Sequence, residues 1–464
     1  MTLPGTLGEL RGSEYRMRTV REELRENLVA ALRAGRPLFV GLIGYQETVI
    51  PQLENALLAG QDIIFLGERG QAKSRLIRAL TSLLDDQIPV ITGSEVNDHP
   101  YSPISRFGRD LVAERGDQTP VEWVSRERRF AEKLATPDTS IADLIGEVDP
   151  IRVAEGRYLA DELTIHYGLL PRANRGIFAL NELPDLAERI QVGLLNIMEE
   201  RDVQIRGFKV RLDLDLVVVA TANPEDYTNR GRIITPLKDR FGAQIRTHYP
   251  RSGEQEAAII DQEASSFEGL GVPLHVPAYM RELVAEISQQ ARRAAQVNQR
   301  SGVSVRLSIA NYESLCANAI RRAILLQEPE AVPRLSDLGA MAASTSGKLE
   351  LESWEDGEDQ VILQKLVRTA VGNVFRRHFS VQEFAPLVAR FEQGLSCETG
   401  EMLPADRYLA IAEEVPETKR ILADLDEASR PATVAAALEL VLEGLHISKR
   451  LNKTVVDGAT VYST

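Results

Sequence analysis

Cysteine is nearly absent from this chain: there are two, Cys316 and Cys397, in 464 residues. That excludes a disulfide framework, and it excludes a zinc-ribbon-type cluster, which needs closely spaced pairs. Both thiols read as buried and inert. The six histidines are scattered, with none at ligand spacing from a cysteine. Each of them, His99 and His166 included, reads as an ordinary surface or core residue. An excess of positive charge is also missing. Lys and Arg number 54 against 68 Asp and Glu, a formal net charge of −14. Such a balance argues against a general binder of nucleic acid or anionic membrane, although a local basic patch stays open. No apolar run approaches the roughly 18 residues that would suggest a membrane span. The stretch "MTLPGTLGELRGSEYRMRTV" lacks the apolar segment of a signal peptide, so a cytoplasmic location is expected. What is present is ordinary for a globular protein: 44% hydrophobic and 26% charged residues, in a length that suits two or three domains.

Hydrophobic periodicity divides the chain. Up to about Pro37, "EYRMRTVREELRENLVAALRAG" predicts a polar helix closed by Gly35, and "GLIGYQETVIPQLENALLAG" predicts another. "QDIIFLG" and "QIPVITG" predict strands flanking a helix, "KSRLIRALTSLL", with Leu76, Leu80 and Leu83 at helical spacing. Residues 94–170 are irregular and too long for an ordinary loop. Within them "PVEWVSRERRFAEKLA" predicts a helix whose basic run faces solvent. "GIFALNEL" predicts a strand running into acidic residues. "LAERIQVGLLNIMEE" predicts an amphipathic helix carrying Ile190, Leu194, Leu195 and Met198 on one side. "DVQIRGFKVRLD" predicts a hairpin around Gly207. "LDLVVVATANP" predicts a strand buried on both faces of a parallel sheet. Beyond Pro250 the strand signals stop. Helices are expected from "GEQEAAIIDQEASSF" onward, with the acidic "ELESWEDGEDQ" as a linker. In the last helix, "PATVAAALELVLEGLHISKRL", the stripe Val434, Leu438, Val441 and Leu445 reads as core. The expected class is therefore α/β, a parallel sheet flanked by helices and followed by an all-helical second half. The expected division is 1–37, 38–250, 251–350 and 351–464.

The chemistry is concentrated in "FLGERGQAKS". A phosphate-binding loop needs inward backbone N–H groups, a helix N-terminus and a cation. Gly67 and Gly70 allow the tight curvature, with Glu68, Arg69 and Gln71 as loop positions between and after them. Lys73 can reach outer phosphates, and the Ser74 hydroxyl can join a Mg²⁺ shell, with Arg75 next to it. Ala72 stands where such loops usually have glycine. Because a helix starts there, φ is expected to be negative and glycine unnecessary. A second element should present carboxylates beside the loop. In "GIFALNEL", Glu182 is placed to orient a water as base, while the preceding position, where an aspartate would hold Mg²⁺, is Asn181, which brings no charge. That substitution is expected to lower Mg²⁺ affinity or hydrolysis. Asn223, at the end of "VVVATAN", can orient a water near the γ-phosphate. Arg240 in "ITPLKDRFG" is a candidate arginine finger, with a structural pair to Asp239 as the alternative. Arg230 and Arg232 lie close enough to share that role. Arg306 opens a helix in the second half and by itself reads as a surface cation.

Together these residues resemble an AAA+ ATPase, and more narrowly the MoxR and magnesium-chelatase I-subunit group. "GERGQAKS" matches the group's loop, which tolerates alanine. "GIFALNEL" matches its Walker B strand except at Asn181. The resemblance, over roughly residues 38 to 345, places sensor 1 at Asn223, the arginine finger at Arg240 and sensor 2 at Arg306. It explains residues 94–170 as the group's insert and "ERDVQIRGFKVRLDLDLVVVATANP" as its hairpin before sensor 1. It implies ATP and Mg²⁺ as cofactors and a homo-oligomeric, commonly hexameric, ring in which Arg240 completes a neighbour's site. It further implies a partner with a von Willebrand A domain. Three alternatives remain. One is the ATPase subunit of a magnesium chelatase. Another is a nucleotide-gated scaffold slowed by Asn181. A third, a transcription activator, is disfavoured because the "GAFTGA" pore loop is absent and no DNA-reading helix-turn-helix stands out.

Overall fold

A computed structural model describes residues 3–148, 162–200, 212–223, 232–298, 302–349, 358–414, 430–456 and 459–464. The expected hairpin, Arg230 and most of the acidic linker lie outside those residues. The chain divides into two compact units, Met1–His248 and Tyr249–Thr464.

In the first unit, α1 (Val20–Arg33) and α2 (Val49–Leu58) precede β1 (Ile63–Leu66) and α3 (Lys73–Ala79). Next come β2 (Gln87–Ile91), β3 (Val121–Ser125), β4 (Phe130–Leu134) and β5 (Gly176–Asn181). The unit closes with α4 (Glu188–Glu200), β6 (Leu216–Ala222), α5 (Thr235–Arg240) and β7 (Ala243–Arg246). Five strands form one parallel sheet in the order β4-β5-β6-β1-β7. Every residue of β6, "LVVVATA", is buried, as the unbroken apolar run of a central parallel strand requires. The order places the carboxyl ends of β5, β6 and β1 in a row, so the loop after β1 lies beside the end of β6 and one strand away from the end of β5.

Several expectations change. A short helix, Leu7–Arg11, comes first, and the helix expected from Glu14 begins only at Val20, where Thr19 and Glu22 form a capping box; a cap overrides the helical periodicity upstream of it. Its Leu24 and Leu28 pack in one cluster with Leu53, Ile63 and Val217. Residues before 38 are thus part of the first unit's core and not a separate segment.

The larger correction concerns "PVEWVSRERRFAEKLA", which forms two strands and not a helix. β3 pairs antiparallel with β2, and β4 joins the edge of the parallel sheet against β5. The region expected to be an insert therefore supplies a strand of the core sheet. Helix propensity in the Arg- and Glu-rich run is overridden by strand pairing and by one buried contact. Arg129 is 1% exposed; it donates to both oxygens of Glu23, at 2.8 and 2.5 Å, and to the Arg175 carbonyl at 2.8 Å. The basic run is not wholly a solvated face, because a charge buried this deeply requires a partner.

The second unit contains α6 (Gly253–Glu263), α7 (Ala278–Arg293), α8 (Val305–Leu326) and α9 (Glu358–His378). β8 (Cys397–Thr399) and α10 (Ala405–Glu414) follow, and then α11 (Pro431–Ile447), β9 (Asn452–Val456) and β10 (Ala459–Ser463). It is mainly helical but not all-helical: β8, β10 and β9 make a small antiparallel sheet. The β-branched pattern of "NKTVV" and "ATVYS" carried that signal. One apolar cluster joins Met280 and Leu283 of α7, Val374 of α9 and Leu438 of α11. The position near 350 therefore does not separate two cores. Val434, Leu438, Val441 and Leu445 are fully buried. Cys316 and Cys397 are buried, and burial pushes both thiols up to about 12, which keeps them protonated and unreactive near neutral pH.

Candidate nucleotide site

The loop between β1 and α3 is shaped by two residues of positive φ. Gly70 has φ +76° and Ala72 φ +52°, while Gln71 between them is not positive. Such alternation of hand turns successive N–H groups into one concavity. The expected negative φ at Ala72 is thus incorrect: Ala72 caps α3 in the left-handed region and the helix proper starts at Lys73. A left-handed alanine costs about 1–2 kcal/mol, against roughly 0.5–1 kcal/mol of extra chain entropy for glycine. Ala72→Gly is therefore expected to raise stability by up to about 1.5 kcal/mol, read as a higher denaturant midpoint at unchanged slope. A lowered midpoint would contradict the strain.

At Gly67 the reason for glycine is contact. A Cβ there would lie 1.9 Å from Thr247 Oγ1 and 2.3 Å from Gln71 Oε1. Those two atoms brace the loop: Thr247 Oγ1 donates to Gln71 Oε1 at 2.7 Å, and the Glu68 N–H donates to the same oxygen at 3.1 Å. The buried Tyr45 hydroxyl shares its hydrogen between the carbonyls of Gln71 (2.7 Å) and His248 (2.9 Å). Burial pushes Tyr45 up to about 12, so it stays a donor. A cleft of about 400 Å³ adjoins the loop, lined by Leu66, Gly67, Glu68, Gln71, Lys238, Arg246 and Thr247.

Lys73 is 7% exposed. Its ammonium donates to the Gly67 carbonyl, to the Glu68 carbonyl at 2.9 Å and to Asn223 Oδ1 at 2.7 Å. An ammonium has three donors, and these oxygens take them. The contact joins the loop to the end of β6. Ser74 Oγ lies 3.4 Å from Asn181 Oδ1, and Thr221 Oγ1 is also 3.4 Å from that oxygen. Glu182 follows with φ +55°, held by its N–H donating to Thr221 Oγ1 at 2.9 Å. A strained backbone in a side chain of this kind points to a functional constraint. The structure thus brings Gly67 through Ser74 together with Asn181, Glu182 and Asn223. Arg69 and Arg75 are exposed on the loop and first helical turn.

The remaining arginines are elsewhere. Arg240 pairs with Glu199 of α4, both 41% exposed, and not with Asp239. Arg232 is 76% exposed, 3.9 Å from Glu188. Arg306 is exposed in the first turn of α8, its N–H donating to the Ser304 cap at 3.1 Å; it belongs to the second unit. Sequence reasoning missed Tyr45, Thr221 and Glu132. Thr221 was visible as a polar interruption of "VVVATAN". Glu132 was not, because its place depends on β4 pairing with β5: its Oε1 accepts from Asn181 Nδ2 at 2.6 Å.

Residues 155–241 match the Sigma-54 interaction domain family, a span from before β5 through Arg240. Over 238 residues the chain is 27% identical to the magnesium-chelatase subunit ChlI of Nostoc sp., which is 49% of this chain and 58% of that one. The chain is similar in sequence to magnesium-chelatase I subunits. The magnesium-chelatase 38 kDa subunit of Cereibacter sphaeroides is 27% identical over 235 residues, 48% of this chain and 62% of that one. The ChlI subunit of Mesostigma viride is 28% identical over 246 residues, 51% and 63%. The chain thus spans 58% to 63% of the length of these three relatives. Among solved structures, a complex between subunits BchI and BchD of magnesium chelatase matches 71% of this chain and 100% of that one, at 21% identity and TM-score 0.36. NtrX from Brucella abortus matches 75% and 66% at 17% identity and TM-score 0.39. Both likenesses are too loose to bear on function. No helix among the described residues is long and apolar enough to cross a membrane.

The site fits a magnesium nucleotide. The loop is a cradle that a Cβ at Gly67 would fill, its cation is buried at the rim, and a hydroxyl and an amide oxygen meet where a P-loop Mg²⁺ is held. Among the described residues no group of three or more His, Cys, Asp or Glu is placed to hold a metal ion by itself.

Proposed function

We propose that the protein hydrolyses ATP with Mg²⁺ and uses the cycle to remodel or activate a partner protein. The observation that carries this reading is the junction of Lys73, Asn223, Asn181 and Glu182 at the carboxyl ends of three adjacent strands. Ser74 and Asn181 are the residues that would hold Mg²⁺, which would supply charge neutralisation to the transferred phosphate. Everything else is work for the chain's own groups. The amides from Glu68 to Ser74 bind phosphate oxygens at the start of α3. Lys73 exchanges one of its oxygen partners for a phosphate oxygen, which couples binding to Asn223 and β6. Glu182 accepts a proton from the attacking water.

The proposal extends to assembly. In a homo-oligomeric ring, such as a hexamer, Arg240 leaves the exposed Glu199 and completes the site of the next subunit, while Arg306 acts as sensor 2. The client is presented by a partner protein carrying a von Willebrand A domain, in the cytoplasm. In this reading 38–250 is the nucleotide-binding domain, 251–350 its lid and 351–464 an addition to the lid. A second reading, the ATPase subunit of a magnesium chelatase, is favoured by the names of the relatives. Steady-state ATP hydrolysis tests the first step of both. The parent is expected to turn over in Mg²⁺ and the Lys73→Ala variant to fall to background. Equal rates would leave at most a nucleotide-gated scaffold.

A further inference from the structure

We propose that Glu132 supplies the negative charge that Asn181 lacks. It is a positioning residue one hydrogen bond behind the amide, and the proposal rests on the nucleotide reading above. β4 and β5 run parallel with Glu132 opposite Ala179 and Leu134 opposite Asn181. Alternation then places Glu132 and Asn181 on the same face of the sheet. Glu132 Oε1 accepts from Asn181 Nδ2 at 2.6 Å. Locking the amide nitrogen in this way turns Oδ1 toward Ser74 Oγ and Thr221 Oγ1, 3.4 Å from each. A carboxylate bonded to the far side of an amide also polarises its oxygen. The amide oxygen thereby acquires part of the character that an aspartate would have had. The same logic, an outer carboxylate orienting and strengthening a ligand, operates at many metal sites.

The other partner of Glu132 is Arg78 of α3, whose Nε and Nη2 donate to it at 2.8 and 3.1 Å. Arg78 is 65% exposed, whereas Glu132 is 20% exposed. The pair fixes Glu132 in place and offsets part of its charge, water competing for the more exposed guanidinium. The arrangement explains how a strand ending in Asn-Glu can serve a site that elsewhere uses Asp-Glu. The charge has moved to the adjacent strand.

The test separates metal from nucleotide. Binding of a fluorescent ADP to the full chain is titrated at increasing Mg²⁺, and Mn²⁺ uptake by the nucleotide complex is followed by electron paramagnetic resonance. Glu132→Gln is expected to leave metal-free ADP affinity unchanged and to weaken the metal by roughly 10- to 100-fold, the usual effect of removing an outer carboxylate. Adding Asn181→Asp to Glu132→Gln is expected to restore the metal affinity, since the charge returns to the sheet one strand over. Parental metal dependence in Glu132→Gln overturns the proposal, and so does a loss that Asn181→Asp fails to restore. If the parent binds no ADP at all, the nucleotide reading falls and takes this inference with it.

Discussion

Glu182→Gln is expected to bind ATP like the parent and to hydrolyse it roughly 10²- to 10⁴-fold more slowly, the range for removing a positioned general base. Glu182 follows directly on β5, and its backbone is held in the left-handed region by Thr221. The strain costs about 1–3 kcal/mol, which an incidental loop residue would relieve by rotating. The glutamine is nearly isosteric, so the fold and the phosphate cradle survive while the proton acceptor is lost. The variant should accumulate with ATP bound and favour the assembled form. Single-turnover hydrolysis gives the rate, and a filter-binding assay gives the occupancy. Hydrolysis at the parent's rate would assign the base elsewhere.

Arg240→Ala is expected to leave ATP binding nearly intact and to lower turnover by a factor on the order of 10³ to 10⁵, the worth of an arginine finger. Among the described residues Arg240 pairs with Glu199 at the surface. Exposed pairs are worth about 0–1 kcal/mol, so Arg240 can exchange that partner for a neighbour's phosphate at small cost. Mixing separates a finger acting between subunits from one acting within. Glu182→Gln subunits keep the arginine and Arg240→Ala subunits keep the base, so the mixture should regain part of the activity that each lacks alone. A mixture as inactive as its components would place the arginine in its own subunit's site. Persistent turnover in assembled Arg240→Ala would move the role to Arg232, which is also exposed.

The site was legible where it depended on local chain chemistry. A glycine-bounded turn after "IIFL", a lysine and serine opening a helix, and an apolar strand ending in Asn-Glu are signals that each segment carries by itself. The structure joins them because parallel strands put their carboxyl ends on one side. What escaped the sequence depended on pairing between distant segments. The stretch "VEWVSRERRFAEKLA" carries enough Glu, Arg, Lys and Ala to suggest a helix, and only β2 and β5 as neighbours make strands of "VEWVS" and "FAEKL". The role of Glu132 was invisible for the same reason. Ala72 failed differently: the start of α3 was placed correctly, but the loop's reversal of hand extends to the cap residue, where φ is positive. In the second unit, long helices were read from their periodicity, whereas the three short strands were too brief to register against them.

Calorimetric titration of ATP analogue and Mg²⁺ into the parent and into Lys73→Ala bears most directly on the claim that phosphate is held between the loop after Gly67 and the carboxyl ends of β5 and β6. Removing a charged hydrogen bond worth about 1.5–3 kcal/mol predicts binding at one site per parent chain and a roughly 10- to 150-fold weaker affinity in Lys73→Ala. Equal affinity in the two proteins, or no binding by either, would contradict the account.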